Sequence, residues 1–335
     1  MRIIVMGTGP FAVPACRRIL ADGHDIPLCV TRPLPEPPPK KLPERPVFDW
    51  ATSESIELFE PQSINDPAAI EKLRGYEADL FFVCDYGQIL SSEALTAARL
   101  GGVNLHGSLL PRHRGAAPVQ WALLRGDTAA GVTVIHMTPR LDAGPALTMA
   151  STLIEPHETA EQLEPRLADL GIAATMDAIA ALDAWDGQSQ LGQIQEATEV
   201  TRAPRFAKHH GSLDPRLPAD YLVRLYRACQ PWPGTFVQLT KPGGKLLRLI
   251  VRGATACPSL PVLKEQEVGQ AVGYSGPETN DQPVLAIQCN PGVLLVNHIQ
   301  PAGKRPMSAE EFIRGHGETF CAELPDPPAV QLDVQ

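Results

Sequence analysis

Residues 2–12 read RIIVMGTGPFA. Arg2–Met6 is a short apolar run with the length of a buried strand. Gly7-Thr8-Gly9 allows a tight turn, and Pro10 suits the first position of a helix, where its missing N–H costs nothing. A helical stretch is expected from about Phe11 to Ala21. Working outward, Ile26–Thr31, Leu80–Cys84 (LFFVC), Gly102–Leu105 (GVNL) and Val132–Met137 (VTVIHM) repeat the strand pattern. Strands alternating with helical stretches predict an α/β fold with a parallel sheet and helices on its faces. The glycine turn also fits the permissive dinucleotide fingerprint G-x-G-x-x-A. That site wants Asp or Glu about twenty residues further on. The chain offers Cys29, Val30, Thr31 and Arg32 there, so a tight strand-to-helix turn is the better reading than an NADP site.

A length of 335 residues points to two domains. With 44% apolar and 20% charged residues the composition is that of a soluble globular protein. No apolar run reaches the roughly 18 residues of a membrane span, and no leader pattern opens the chain. The seven cysteines are scattered and form no C-x-x-C. This argues against a disulfide framework and a thiolate zinc site, and for a reducing cytoplasm. Proline is abundant at 34 residues. Many of these crowd residues 32–46 (RPLPEPPPKKLPERP), which predicts an irregular, extended loop. A loop of this length within a compact domain tends to be functional.

The net charge of −9 is unevenly spread: residues 206–305 carry +5, residues 1–205 carry −9 and residues 306–335 carry −5. A basic segment in an acidic chain is a candidate contact for polyanions. Residues 186–205 show no period and read as a linker. Beyond them come a short amphipathic helix at Pro218–Cys229 and strands near 235–239, 246–251, 270–274, 284–289 and 293–299. Turns such as Lys241-Pro242-Gly243-Gly244 and Asn290-Pro291-Gly292 punctuate these strands, which suggests a small barrel. The expected organisation is a catalytic domain over 1–187, a linker over 188–205, a barrel over 206–310 and a tail over 311–335. The chain from Glu323 is expected to fray.

The chemistry concentrates in Asn104-Leu105-His106-Gly107-Ser108-Leu109-Leu110-Pro111. Alternation on a strand puts Asn104 and His106 on one side, and Gly107 lets the backbone turn sharply after them. Another strand ends near Leu141-Asp142-Ala143-Gly144. Asn and protonated His can stabilise a developing oxyanion, and Asp can orient the imidazole and accept protons. Together they suit attack on a carbonyl carbon. Taken singly, each is as easily a satisfied polar residue at a strand end.

The run Asn-x-His-x-Ser-Leu-Leu-Pro with a later Leu-Asp-x-Gly resembles the folate-dependent formyltransferases. The resemblance implies a Rossmann-like sheet domain and 10-formyltetrahydrofolate as the formyl donor. It places the catalytic roles on Asn104, His106 and Asp142. It places folate contacts on Ser108, Leu109, Leu110 and Pro111, and on the pterin loop Tyr86, Gly87 and Gln88 through Leu90. Acceptors in this family are glycinamide ribonucleotide, amino sugars on nucleotides, or methionyl-tRNA. Arg227–Gly234 (RACQPWPG) and Gln300–Ser308 (QPAGKRPMS) look like the C-terminal domain of the tRNA-formylating branch, an OB-like barrel that coincides with the basic segment.

The resemblance thus implies a cytoplasmic, metal-free transferase acting on charged initiator tRNA, as a monomer, in translation initiation. Lys40, Lys41, Arg224, Arg227, Lys304 and Arg305 are the candidate tRNA contacts. A formyltransferase for nucleotide-linked amino sugars is the alternative. The chain departs from the family pattern in lacking the Gly-Arg-Gly of the 32–46 loop, in Asp85 where a small residue is usual, and in His113 for an aromatic residue.

Overall fold

The structure is a computed structural model that describes residues 1–38, 42–187, 189–317 and 319–325. It divides into two compact units. One comprises residues 1–122, 128–154 and 162–205; the other comprises 123–127, 155–161 and the chain from 206.

Strand and helix alternate through β1 (Ile3–Gly7), α1 (Val13–Ala21), β2 (Leu28–Val30), α2 (Pro46–Ser53), β3 (Glu57–Phe59), α3 (Pro67–Arg74), β4 (Leu80–Cys84), α4 (Ser92–Leu95) and β5 (Gly102–His106). The chain continues through α5 (Pro118–Arg125), β6 (Ala129–His136), β7 (Ala146–Leu153) and α6 (Ala160–Asp183). The sheet of the first unit runs in the order β3-β2-β1-β4-β5-β6-β7. Its first five strands pair in parallel, while β5–β6 and β6–β7 pair antiparallel. The fold is Rossmann-like α/β, with the expected parallel sheet extended by an antiparallel hairpin. Strand β7 gives little sign in the sequence, because it buries no residue fully.

The core explains why β1, β2 and β4 read as continuous apolar runs. Ile4, Met6, Leu28, Val30, Phe81 and Val83 point into one cluster, while Ile3, Val5, Leu80 and Phe82 on the other face are also fully buried. A strand covered on both faces has no polar alternation to show. Each large side chain so buried contributes about 1.5–3 kcal/mol. The strand order reverses between β1 and β4, and the crevice beyond the C-terminal strand ends at such a switch point is where open α/β sheets bind ligands. Gly7 and Cys84 end these strands side by side.

The second unit holds α7 (Ala219–Ala228), β8 (Thr235–Thr240), β9 (Leu246–Cys257), β10 (Gln270–Tyr274), β11 (Val284–Gln288), β12 (Val293–Pro301), β13 (Met307–Ser308), α8 (Ala309–His316) and β14 (Thr319–Ala322). The order β11-β10-β14-β8-β9-β12, with β11 also pairing with β12, closes six antiparallel strands into a ring, and β13 adds to β12. A closed ring leaves no free edge among its strands. The expectation of a tail from residue 311 is corrected here: β14 pairs with β10 and β8 inside the ring. Helix α8 leads into it. The Ser308 hydroxyl accepts from the Glu311 N–H at 3.1 Å, and Glu311 accepts from the Ser308 N–H at 3.0 Å. This capping box, followed by buried Phe312 and Phe320, is the sequence signal that marks 308–317 and 319–322 as structured. Glu323 also donates its N–H to Gln238 O at 2.8 Å. The fraying expected beyond it lies mostly outside the described residues. No helix among the described residues is long and apolar enough to cross a membrane.

Candidate active site

A cleft of about 480 Å³ opens at the C-terminal strand ends of the first unit. Asn104, His106 and Asp142 all line it, together with the turn Thr8-Gly9 and the loop Tyr86–Leu90. Strands β1, β4 and β5 deliver all of these groups except Asp142, which comes from the connection between β6 and β7. Val83 of β4 sits beside Asn104 of β5, and Gly7 of β1 sits beside Cys84. The glycine turn is needed for close approach. A Cβ on Gly7 would lie 2.7 Å from Cys84 O, and one on Gly9 would lie 2.9 Å from an Asp85 carboxylate oxygen. That carboxylate occupies the space beside Gly9 and opposes a pyrophosphate there, which removes the remaining case for a dinucleotide.

His106 is 7% exposed at its side chain and Asp142 is 9% exposed. The imidazole Nε2 lies 3.0 Å from His113 O. A carbonyl only accepts, so Nε2 carries a hydrogen and Nδ1 is the nitrogen left for chemistry. Nδ1 stands 3.8 Å from Asp142 Oδ2, within ion-pair range once the ring is protonated. The same Oδ2 accepts the Gly115 N–H at 2.9 Å. Asn104 is half-buried, and its carboxamide has no hydrogen-bond partner among the described residues. An amide donor and an imidazole that can present Nδ1–H to one cleft, with a carboxylate 3.8 Å from that nitrogen, form a device for holding an oxyanion.

Backbone strain collects at this site. Asp85, His113 and Asp142 adopt φ of 51°, 60° and 49°, the left-handed region that side chains other than Gly seldom enter. Each occupies the tip of a turn that aims a neighbouring group at the cleft, a common setting for such strain.

The loop Tyr86-Gly87-Gln88-Ile89-Leu90 lines the cleft throughout. Its shape is set from below: Gln88 Oε1 accepts the Ile64 N–H at 2.8 Å, and Gln88 Nε2 donates to Pro61 O and Gln62 O. Gly87 has φ of 78° and rests on the Arg32 side chain. The backbone N–H groups of Gln88, Ile89 and Leu90 have no partner among the described residues. Ile89 and Leu141, each 56% exposed, add apolar surface at the same cleft. Free backbone donors beside apolar side chains suit a flat, polar-edged ring.

Ser108, Leu109, Leu110 and Pro111 form the turn that directly follows β5. Ser108 Oγ donates to Arg112 O at 2.6 Å, and Thr133 Oγ1 bridges Ser108 O and the Leu110 N–H. Leu110 is buried, and Leu109 Cδ2 lies against Gly131. Their polar groups are used within the turn after β5, which fixes Asn104 and His106 at the strand end.

Two further carboxyls line the cleft. Asp85 reaches solvent through the cleft but is otherwise walled by protein; this enclosure pushes its carboxyl up, partly offset by His106. Glu164, on α6, is pushed up to about 7, first by burial and second by the charge of Asp85. Glu164 had no signal beyond its place on a predicted helix. From its ordinary value of 4.5 up to about 7, the folded chain keeps a proton that the unfolded chain releases. Stability therefore falls as pH rises through that window and stays lower above it. Glu164→Gln should raise the melting temperature by a few degrees at about pH 8 and leave it unchanged near pH 4. Thermal melts at both pH values check this, and equal shifts at both would contradict it.

The candidate tRNA contacts fall into three groups. Lys40 and Lys41 lie outside the described residues. Arg224 and Arg227 are engaged by backbone carbonyls: Arg224 Nε donates to Leu124 O at 2.9 Å, and Arg227 donates to Glu158 O at 2.7 Å and Glu155 O at 3.1 Å. Lys304 and Arg305 are exposed on the turn between β12 and β13. Gln300 shapes that turn, accepting from Arg252 Nη2 at 2.8 Å and donating to Lys304 O at 3.0 Å.

Family models describe residues 1–179 as formyl transferase and residues 205–317 as formyl transferase, C-terminal domain. The chain is 42% identical to the methionyl-tRNA formyltransferase of Rhodopirellula baltica, over 98% of this chain and 97% of the relative. It is 37% identical to that of Methylococcus capsulatus, over 94% and 97%. Among solved structures, the fold is similar to WlaRD, a sugar 3N-formyl transferase, with a TM-score of 0.61 and 14% identity over 91% of this chain and 99% of that one.

Proposed function

The chain belongs to the methionyl-tRNA formyltransferase family, and from that premise we propose that its cleft moves the formyl group of 10-formyltetrahydrofolate to the α-amine of methionine on initiator tRNA. The amine forms a bond to the formyl carbon. The carbonyl oxygen becomes an oxyanion that accepts from the Asn104 carboxamide and from His106 Nδ1–H. Collapse breaks the bond to the folate N10. The proton lost by the attacking ammonium ends on that nitrogen, relayed through water beside Asp142. Asp142 also orients the imidazole of His106.

The observation that carries this reading is the convergence of Asn104, His106 and Asp142 on the cleft that the Tyr86–Leu90 loop borders. In this reading the pterin edge takes the free N–H groups of that loop, with Ile89 and Leu141 against its rings. Lys304 and Arg305 meet tRNA phosphates, and Lys40 and Lys41 extend the same role to the 32–46 loop. The protein acts as a cytoplasmic monomer in translation initiation.

The donor assignment has a direct test. A tetrahydrofolate analogue at about 100 times its Kd should add roughly 2.7 kcal/mol to stability by mass action, read as a rise in melting temperature. Gln88→Ala, which releases the loop from residues 61–64, should shrink that rise. An unchanged melting temperature at saturating analogue would refute the assignment.

A further inference from the structure

The segment after α6 reads as an aperiodic linker, yet it is bonded to both turns that hold the catalytic pair. Gln193 and Ala146 exchange both backbone hydrogen bonds at 2.8 Å. Further on, the Arg114 N–H donates to Thr201 O at 2.9 Å and the Ala203 N–H donates to Arg114 O at 2.7 Å. Thr201 Oγ1 accepts the His113 N–H at 2.9 Å. Between these backbone brackets sits Gln195. Its Nε2 donates to Asp142 O at 2.9 Å and to Gly144 O at 2.7 Å. Its Oε1 accepts from Arg114 Nε at 3.0 Å and Nη2 at 2.7 Å.

We propose that Gln195 is a positioning residue for formyl transfer, clamping the Asp142–Gly144 turn to the His113–Gly115 turn so that Asp142 faces His106. The inference rests on the proposed function of the cleft. One turn supplies the Asp142 carboxylate; the other supplies His113 O to His106 Nε2 and the Gly115 N–H to Asp142 Oδ2. Each catalytic side chain is thus one bond removed from a turn that Gln195 grips.

The chemistry of the clamp selects glutamine. It must offer two donors to two carbonyls and an acceptor to a guanidinium, and the side-chain amide does all three at once. Glutamate keeps the bonds to Arg114 but turns an acceptor toward two carbonyl oxygens. Leucine keeps the volume and removes all four bonds. Both turns need a clamp, because their tips hold strained backbone: φ is 60° at His113, 49° at Asp142 and 132° at Gly115. The Gly144 backbone is also pressed against His136 O, 1.8 Å from where a Cβ would stand. The flanking brackets at Gln193, Thr201 and Ala203 use backbone atoms or another side chain, so they survive substitution of Gln195.

A misplacement of about 1 Å can cost on the order of 100-fold in rate. Gln195→Leu is therefore expected to lower kcat by about 10- to 100-fold. KM for folate donor and charged tRNA should stay within about twofold, with far-UV circular dichroism unchanged. Gln195→Glu should fall in the same direction while remaining folded, which keeps the test open if the leucine variant is unstable. The decisive readout is coupling. In an Asp142→Ala background, Gln195→Leu should cost less than about threefold more, because residues acting as a unit are not additive. Full kcat in a folded Gln195→Leu protein would overturn the inference, as would the same fold loss with and without Asp142. Wild-type enzyme in the same assay separates the two levels: a wild type without formyl transfer refutes the function, and an active wild type with indifferent variants refutes only the clamp.

Discussion

Asn104→Ala is expected to lower kcat by about two to three orders of magnitude, and His106→Ala by as much, which is the usual cost of removing one preorganised oxyanion donor. The expectation follows from how the two donors are held. Asn104 is carried on β5 with no partner for its amide among the described residues, so no bond to them must be broken for it to meet charge developing in the cleft. His106 is pinned through Nε2 to His113 O, which leaves Nδ1 to act. Both interactions strengthen as the carbonyl oxygen becomes an oxyanion, so the loss should appear in kcat more than in KM. Asp142→Asn should hurt comparably, because it removes the carboxylate 3.8 Å from Nδ1 that orients the ring and relays the proton. Steady-state kinetics on variants with wild-type circular dichroism check this. Full activity in folded His106→Ala would remove the mechanism.

Affinity for tRNA is expected to fall steeply with salt. If about four phosphates are neutralised, the slope of log K against log salt is about −3.6, or roughly a hundredfold weakening between 50 and 200 mM salt. The exposed pair at the β12–β13 turn should supply part of this. Lys304 has no ion-pair partner among the described residues, and Arg305 has only Glu311 at 3.7 Å with both side chains largely in solvent. Lys304→Ala and Arg305→Ala should each flatten the slope by about one or less. Arg224→Ala and Arg227→Ala should instead lower stability, since their guanidiniums are bonded to backbone carbonyls. Filter binding across a salt series, with melts of the same variants, separates the two roles. A flat salt response in the intact chain would show that the basic barrel serves something other than tRNA.

The parts of the fold that were legible share one property: their pattern is local. The runs at β1, β4 and β5 announce themselves because both faces are buried, and Asn104 and His106 could be placed at a strand end by alternation alone. Strand β7 was not legible, because its partly exposed faces carry no apolar stripe. The structured part beyond residue 310 was readable from Ser308 and Glu311 but was given to the tail. Gln195 and Glu164 could not be found in this way. Each owes its place to groups distant in the chain, Gln195 to Arg114 and Asp142 and Glu164 to Asp85. The bonds inside the Ser108–Pro111 turn were not legible, since a turn's internal hydrogen bonds and a ligand's contacts use the same residue types. At Arg224 and Arg227 the charge is visible in sequence, and the carbonyls that engage it are not.

The central claim is that this cleft formylates the methionine amine of initiator tRNA. The most direct measurement offers the enzyme 10-formyltetrahydrofolate labelled in the formyl carbon, with charged initiator tRNA in one reaction and a nucleotide-linked amino sugar in another. The account expects label on the methionine α-amine, dependent on Asn104 and His106, and none on the sugar. Label on the sugar, or a folded wild-type enzyme that leaves the charged tRNA unlabelled, would contradict it.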